Sequence, residues 1–334
     1  MELILNLSMN RLNKKIKSNA NIKENSSSFI NIHRTIRLTF RTLISIALLS
    51  YPVIVYPMEH NKEIVNSDFV NLGKEYEILY RLAKDGDAVM QYYLAEAYYK
   101  KGYNELAIDW YHKSVEQGYA PAQYHLSRRY LYGKGVTQDN AHAMHWMQQS
   151  AKQEYLPAQS ELGILYAQGE AVSQNNELAK YWTKKAADRG YANAQFNLAI
   201  MYHMGTVVPK DREKALYWFE KSAAQGDEGA QFHLGTYYAN GITVKQDGKK
   251  ALYWFRQAAN SGYAFAQFNL GLIYFNLEEH SNALLWLLVS KLNGYDASNA
   301  IKIVHEYLTT EAIRNAENMS KKCVESDYLM CDEL

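Results

Sequence analysis

Two histidines three residues apart are the first feature that could do chemistry. His142 and His145 would share one face of a helix and could jointly hold a metal ion. No third ligand stands at a usable spacing, so no metal centre is expected. The larger catalytic motifs are missing as well. There is no His-Glu-x-x-His, no Gly-x-Ser-x-Gly and no phosphate loop, and Gly133-Lys134-Gly135 is only a turn that recurs along the chain. The chain therefore reads as non-enzymatic, with no cofactor. Cys323 and Cys331 are its only cysteines. Eight steps along one helix would separate them by about 12 Å, whereas a disulfide needs Cα atoms within about 7 Å. Pairing requires a break near Ser326-Asp327, and two free thiols are the expectation.

The elements that carry these residues recur. Trp110, Trp146, Trp182, Trp218 and Trp254 are spaced by 36 residues, and Trp286 follows after 32. An Ala-Gln pair at 122–123, 158–159, 194–195, 230–231 and 266–267 keeps the same period, with Met90-Gln91 as the first copy. Self-similarity at a fixed period marks a repeat solenoid, here six units over 88–295. In each first helix, positions such as Ala122, Leu126 and Tyr130 form one apolar stripe at i, i+4 and i+8. Gly133, Gly169, Gly205 and Gly241 fall where a helix ends in a left-handed residue. Asp139, Asn175, Asp211 and Asp247 then stand where a short oxygen-bearing side chain caps the next helix. In the second helix, Ala143, Ser150 and Ala151 allow close approach while Trp146 fills space.

The motif Ala122-Gln123-Tyr124-His125-Leu126, Tyr130, Gly133-Lys134-Gly135-Val136, Asp139, Ala143, Trp146, Ser150-Ala151 resembles the Sel-one-like repeat family, a 36-residue relative of the tetratricopeptide repeat. The likeness covers about two-thirds of the chain. Ala95, Ser127 and Ala199 depart from it by replacing the usual glycine after the leucine, and Glu154 replaces a closing glycine. The resemblance implies an all-α fold, a right-handed α-solenoid of antiparallel helix pairs whose first helices line a concave surface. It also implies an adaptor or scaffold role, exported in some bacterial members and working in endoplasmic-reticulum quality control in a eukaryotic branch. A cysteine-rich branch is described as binding or hydrolysing β-lactams. This chain lacks the repeat-by-repeat cysteines of that branch, which leaves a β-lactam or cell-wall ligand as the alternative reading.

Opposite the core stripe, the first helices carry further rows. One row includes Tyr92, Tyr124, Phe196, Phe232 and Phe268, which either packs between helices or lines a groove. A second holds Glu96, Arg128 and Ile200, a third Tyr99, Leu131, His203 and Phe275, and a fourth Tyr132 and Met204. The third and fourth rows vary in type between otherwise matching units, which marks surface more than core. These fourteen residues form the candidate groove for a protein or peptide partner. Glu96 and Arg128, one unit apart, are expected to face each other as an ion pair with Arg129 alongside, steering an acidic or amphipathic ligand.

The flanks divide the rest. Residues 1–42 are polar and basic and read as a disordered leader. Residues 43–57 are an uncharged apolar run behind Arg34, Arg37 and Arg41, the layout of an export signal or, uncleaved, a membrane tether. A linker over 58–71, a capping helix over 72–87 and C-terminal caps over 296–334 complete the chain. Residues 1–57 hold eight basic residues against two acidic ones, while the remainder is mildly acidic. A body of that charge argues against nucleic acid. The expected localisation is periplasm, envelope or outside the cell. The ending Cys331-Asp332-Glu333-Leu334 resembles a weak retrieval signal, and only that ending favours the endoplasmic-reticulum lumen. A monomer is favoured.

Overall fold

The computed structural model describes residues 76–328 and Cys331. The leader, the apolar run, the linker and the Asp-Glu-Leu ending all lie outside the described residues. One capping helix, α1 (Glu77–Lys84), precedes six antiparallel pairs: α2 (Ala88–Lys100) with α3 (Asn104–Glu116), α4 (Ala120–Tyr132) with α5 (Asn140–Lys152), α6 (Leu156–Gln168) with α7 (Asn176–Asp188), α8 (Ala192–Met204) with α9 (Arg212–Ala223), α10 (Glu228–Asn240) with α11 (Gly248–Asn260), and α12 (Ala264–Asn276) with α13 (His280–Leu292). Two closing helices follow, α14 (Ser298–His305) and α15 (Thr310–Glu325). The described residues contain no strand, and the architecture is an all-α solenoid.

Local signals set the boundaries. Asp139, Asn175, Asp211 and Asp247 each accept a backbone N–H of the first turn of the helix they precede, relieving donors that have no partner inside the helix. Gly133, Gly169, Gly205 and Gly241 end the first helices in the left-handed region. Glu154 takes that conformation without being glycine, at φ 64°, and its carboxylate is held by Arg189 at 3.1 Å.

Small residues let the helices close on each other. Ala122, Ala158, Ala194, Ala230 and Ala266 are wholly buried, as are Leu94, Leu126, Leu162, Leu198, Leu234 and Leu270. The residue after each leucine faces the second helix of its own pair. A Cβ at Gly235 would come within 2.8 Å of the Phe255 ring, and one at Gly271 within 2.7 Å of Leu287. Where Ala95, Ser127 or Ala199 stands instead, the facing side chains are Tyr111, Met147 and Phe219.

A polar ladder runs through this apolar interior. The glutamine of the repeated Ala-Gln pair is buried, and its Nε2 donates to a carbonyl eight residues back, Gln91 to Ala83, Gln159 to Ala151, Gln195 to Ala187 and Gln267 to Ala259, at 2.9–3.1 Å. Ser114, Ser150, Ser222 and Ser290 donate to the first carbonyl of the paired helix at 2.6–2.8 Å. Gln117, Gln153, Gln225 and Asn293 close the ladder by donating to the glutamine oxygens of Gln91, Gln123, Gln195 and Gln267. Each bond contributes about 1 kcal/mol net, but leaving one buried partner unmade costs more.

The C-terminal end differs from expectation. Cys323 and Cys331 form a disulfide with Cα atoms 4.8 Å apart. The helix stops at Glu325, and Asp327 and Tyr328 take positive φ values of 56° and 66°. That break turns the chain back and brings the two cysteines together. Tyr328 then lies over Gly262 and donates its hydroxyl to Asn293 at 3.1 Å. The end of the chain is thus tied into the last rung of the polar ladder.

Candidate functional site: the first-helix wall

Consecutive first helices meet directly along one side of the solenoid. The tyrosine or phenylalanine row of one unit locks onto the next residue position in the following unit. The Tyr92 hydroxyl is 3.2 Å from His125 Nε2, and Tyr124 donates to Glu161 Oε2 at 2.7 Å. Asn197 donates to Ser160 Oγ at 3.3 Å, and the Phe196 and His233 rings are 5.9 Å apart. These cross-links draw the first helices together, with α6 touching α8.

The row that either packs or lines a groove is therefore packed. Tyr92 and Tyr124 also meet Tyr119 and Tyr155 at 5.5 Å. Phe196 contacts Phe219, Phe232 is buried among Phe255, Tyr263 and Phe265, and Phe268 lies against Tyr295 at 4.8 Å. The third row is packed too, against expectation. Leu131 is 8% exposed, Tyr99 lies under the Arg129 guanidinium at 3.3 Å, His203 Nδ1 bonds the Tyr237 hydroxyl at 2.8 Å, and Phe275 contacts His280 and Tyr307. Leu131 is buried and Tyr99, His203 and Phe275 are half-buried, so variation in type at these positions goes with different contacts and only partial exposure. Ile200 is half-buried, whereas Arg128, Tyr132 (54% exposed) and Met204 (59% exposed) are the candidates that stand open.

The expected ion pair is exchanged. Glu96 binds His125 at 3.0 Å and Arg129 at 3.8 Å, and it accepts the Tyr111 hydroxyl. Arg128 goes to Glu161, one unit further on, at 3.5 Å. Neighbouring arginines on a helix point about 100° apart, so 129 turns back toward the preceding unit while 128 reaches forward. Burial by itself would raise the Glu96 carboxyl, but the hydrogen bonds from His125 and Tyr111 and the Arg129 charge outweigh it and hold the group at about 2. Burial first, then the bond to Glu96, pushes the Tyr111 phenol well up. In this network Glu96 meets His125, Tyr111 and Arg129, while Arg129 Nε is buried without a hydrogen-bond partner.

Farther along, the wall is aromatic. His233 stacks on Phe219 at 4.6 Å with the planes 11° apart. Burial, followed by the neighbouring His203, lowers its imidazole to about 4. Its proton is excluded by the same packing that joins α8, α9 and α10.

The two histidines on α5 have separate roles. His142 bonds Asp139 at 2.8 Å and stacks on Tyr130, while His145 meets Trp146 edge to face. Among the described residues no group of three metal-ligating side chains occurs, and no helix is long and apolar enough to cross a membrane.

Comparison with known proteins matches this geometry. The family model of the Sel1 repeat matches residues 79–119, 120–155, 156–191, 192–227, 229–263 and 264–279. A Sel1 repeat protein from Oxalobacter formigenes is 31% identical over 57% of this chain and 77% of its own, with a TM-score of 0.53. A protective antigen of uropathogenic Escherichia coli strains that displays an SLR fold is 28% identical over 77% of this chain and 66% of its own, with a TM-score of 0.46. No curated protein matches the chain.

Proposed function

The chain belongs to the Sel1 repeat family, and from that premise we propose that it is a non-enzymatic scaffold holding a protein or peptide segment against its first-helix wall. Sel1 repeat proteins generally mediate protein–protein interaction on a non-catalytic fold. The observation that carries the reading here is the open edge of the first-helix wall. Arg128, Tyr132 and Met204 project from it while every aromatic beside them is engaged in packing. Tyr132 and Met204 are exposed apolar side chains on that face, and such exposure suits a partner.

Photo-crosslinking tests this in cells that make the full chain. A benzoyl-phenylalanine at Tyr132 or Met204 is expected to capture a discrete partner, and one at Tyr217 or Tyr253 on the second helices is not. Capture from the second-helix positions alone would remove the proposed face.

Export belongs to the same proposal. A Cys323–Cys331 disulfide suits an oxidising compartment, and the 43–57 run has the layout of a signal or tether. Trapping thiols with a maleimide in intact cells should leave both cysteines unlabelled until reductant is added. Free thiols in freshly trapped protein would speak against that compartment.

A further inference from the structure

The first-helix wall changes character along its length. The first helices of the last three units, α8, α10 and α12, are 13 residues each, and together they contain a single formal charge, Glu228 in the first turn of α10. The second helices α9 and α11 of the same region carry eight. In units 4 and 5 the difference is therefore confined to one face, whereas in unit 6 the second helix α13 carries only Lys291. Its half-exposed rows hold Ile200, Thr236 and Leu272 in one line and Met204, Asn240 and Asn276 in the other. In the first three units the corresponding rows include Glu96, Lys100 and Arg128.

A charged side chain laid on this wall would lose hydration and meet no counter-ion, which costs several kcal/mol unless it is paired. An apolar side chain would gain from covering Ile200, Met204 and Leu272. The Thr236 hydroxyl and the Asn240 amide donate to carbonyls of their own helix. That leaves the Asn240 oxygen and the Asn276 amide as neutral groups suited to a peptide main chain, which presents both donors and acceptors. Adjacent helix axes are about 8–10 Å apart, so the wall from α8 to α12 accommodates about five or six residues of extended chain at about 3.3 Å each.

Building on the proposed binding face, we infer that the wall of the last three units takes an extended peptide segment that carries apolar side chains and no charges. Selection against charge is built into these first helices, while in the first three units Glu96 is paired with Arg129 and Arg128 with Glu161.

The test uses the full chain on a random array of ten-residue peptides. Bound peptides are expected to be depleted in Lys, Arg, Asp and Glu. Their affinity should change less than about twofold between 50 and 500 mM NaCl, because little of it is ionic. Leu272→Lys and Met204→Lys are each expected to weaken binding about tenfold, and Tyr217→Lys, on the second-helix side and 51% exposed, to leave it unchanged. Because Met204 is 59% exposed, Met204→Lys keeps the test intact if Leu272→Lys fails to fold. Enrichment of charged peptides, or binding kept in both Leu272→Lys and Met204→Lys, overturns the inference while leaving the wall as the binding face. If no peptide on the array binds, the proposed function falls with it.

Discussion

Units 1–3 and units 4–6 join their first helices with opposite chemistry, starting from the same row of Tyr92, Tyr124, Phe196 and Phe232. In the first half the contacts are Tyr92 with His125 and Tyr124 with Glu161, reinforced by Glu96, Tyr111, Arg128 and Arg129. In the second half they are rings: Phe196 against His233, His233 on Phe219, and Phe232 against Tyr263 and Phe265. The backbone repeat fixes where neighbouring helices touch. It leaves open whether hydrogen bonds or apolar area supply the adhesion, so one fold presents a charged end and a neutral end.

The comparison breaks most severely at Phe219, which is wholly buried beneath His233. Phe219→Ala should cost about 3–5 kcal/mol in urea unfolding, from lost transfer energy plus the cavity. A smaller cost would mean the aromatic half holds by something other than its rings.

Acid separates the halves by sign and by window. His233 has a folded value depressed to about 4 against about 6.5 unfolded. The unfolded chain therefore binds the proton first, and this contribution is complete above pH 6.5 and lost as pH falls toward 4. It amounts to at most about 3 kcal/mol. Glu96, depressed to about 2, stabilises above about pH 4.5 and loses that contribution only between there and 2. Amide protection factors in α8 to α10 should fall before those in α2 to α4 as pH is lowered from 7 to 4. The reverse order would show that the buried histidine does not govern the second half.

Arg129→Ala removes one arm of the Glu96 network. The expected loss is about 2–3 kcal/mol, below that of a fully buried pair because Glu96 keeps His125, Tyr111 and some water. Thermal unfolding of this variant against Arg128→Ala sharpens the contrast. Arg128 is an exposed partner of Glu161, and its loss should cost no more than about 1 kcal/mol.

The smallest effect is a gain. Gln231 Oε1 is buried without a donor, because the position that carries Gln153 and Gln225 elsewhere is Ser261, whose hydroxyl turns to Gln257. Ser261→Gln should complete the rung and raise stability by about 1 kcal/mol, read as a shift in urea midpoint. Gln159 has the same unmet oxygen, where Arg189 reaches Glu154 instead. No gain from Ser261→Gln would mean the ladder is not limited by that bond.

Much of the fold was legible from residue type. The caps at Asp139, Asn175, Asp211 and Asp247 and the left-handed glycines were readable because their causes are local, a side-chain oxygen beside free N–H groups and a missing Cβ. The candidate wall was only half legible. Type variation at Leu131 and His203 looked like surface, yet both are packed, because unlike residues can fill equivalent space when the facing helix changes with them. Glu96 and Arg128 shared a row, but the inter-unit offset gave Glu96 to Arg129. The buried role of Gln91, Gln159 and Gln195 had a signal in the fixed period of the Ala-Gln pair. That period said the glutamine mattered without saying which carbonyl it served.

Period, caps and core stripe follow from the order of residues alone, since each depends on contacts within one helical hairpin. Which side chains end up paired between hairpins was decided by the packing of successive units, and so was the meeting of Cys323 with Cys331. The pairing of hairpins depends on the offset between helices far apart in sequence. The disulfide depends on two left-handed residues, Asp327 and Tyr328, that nothing in their own side chains requires, with the Tyr328 ring seated on Gly262 and its hydroxyl on Asn293.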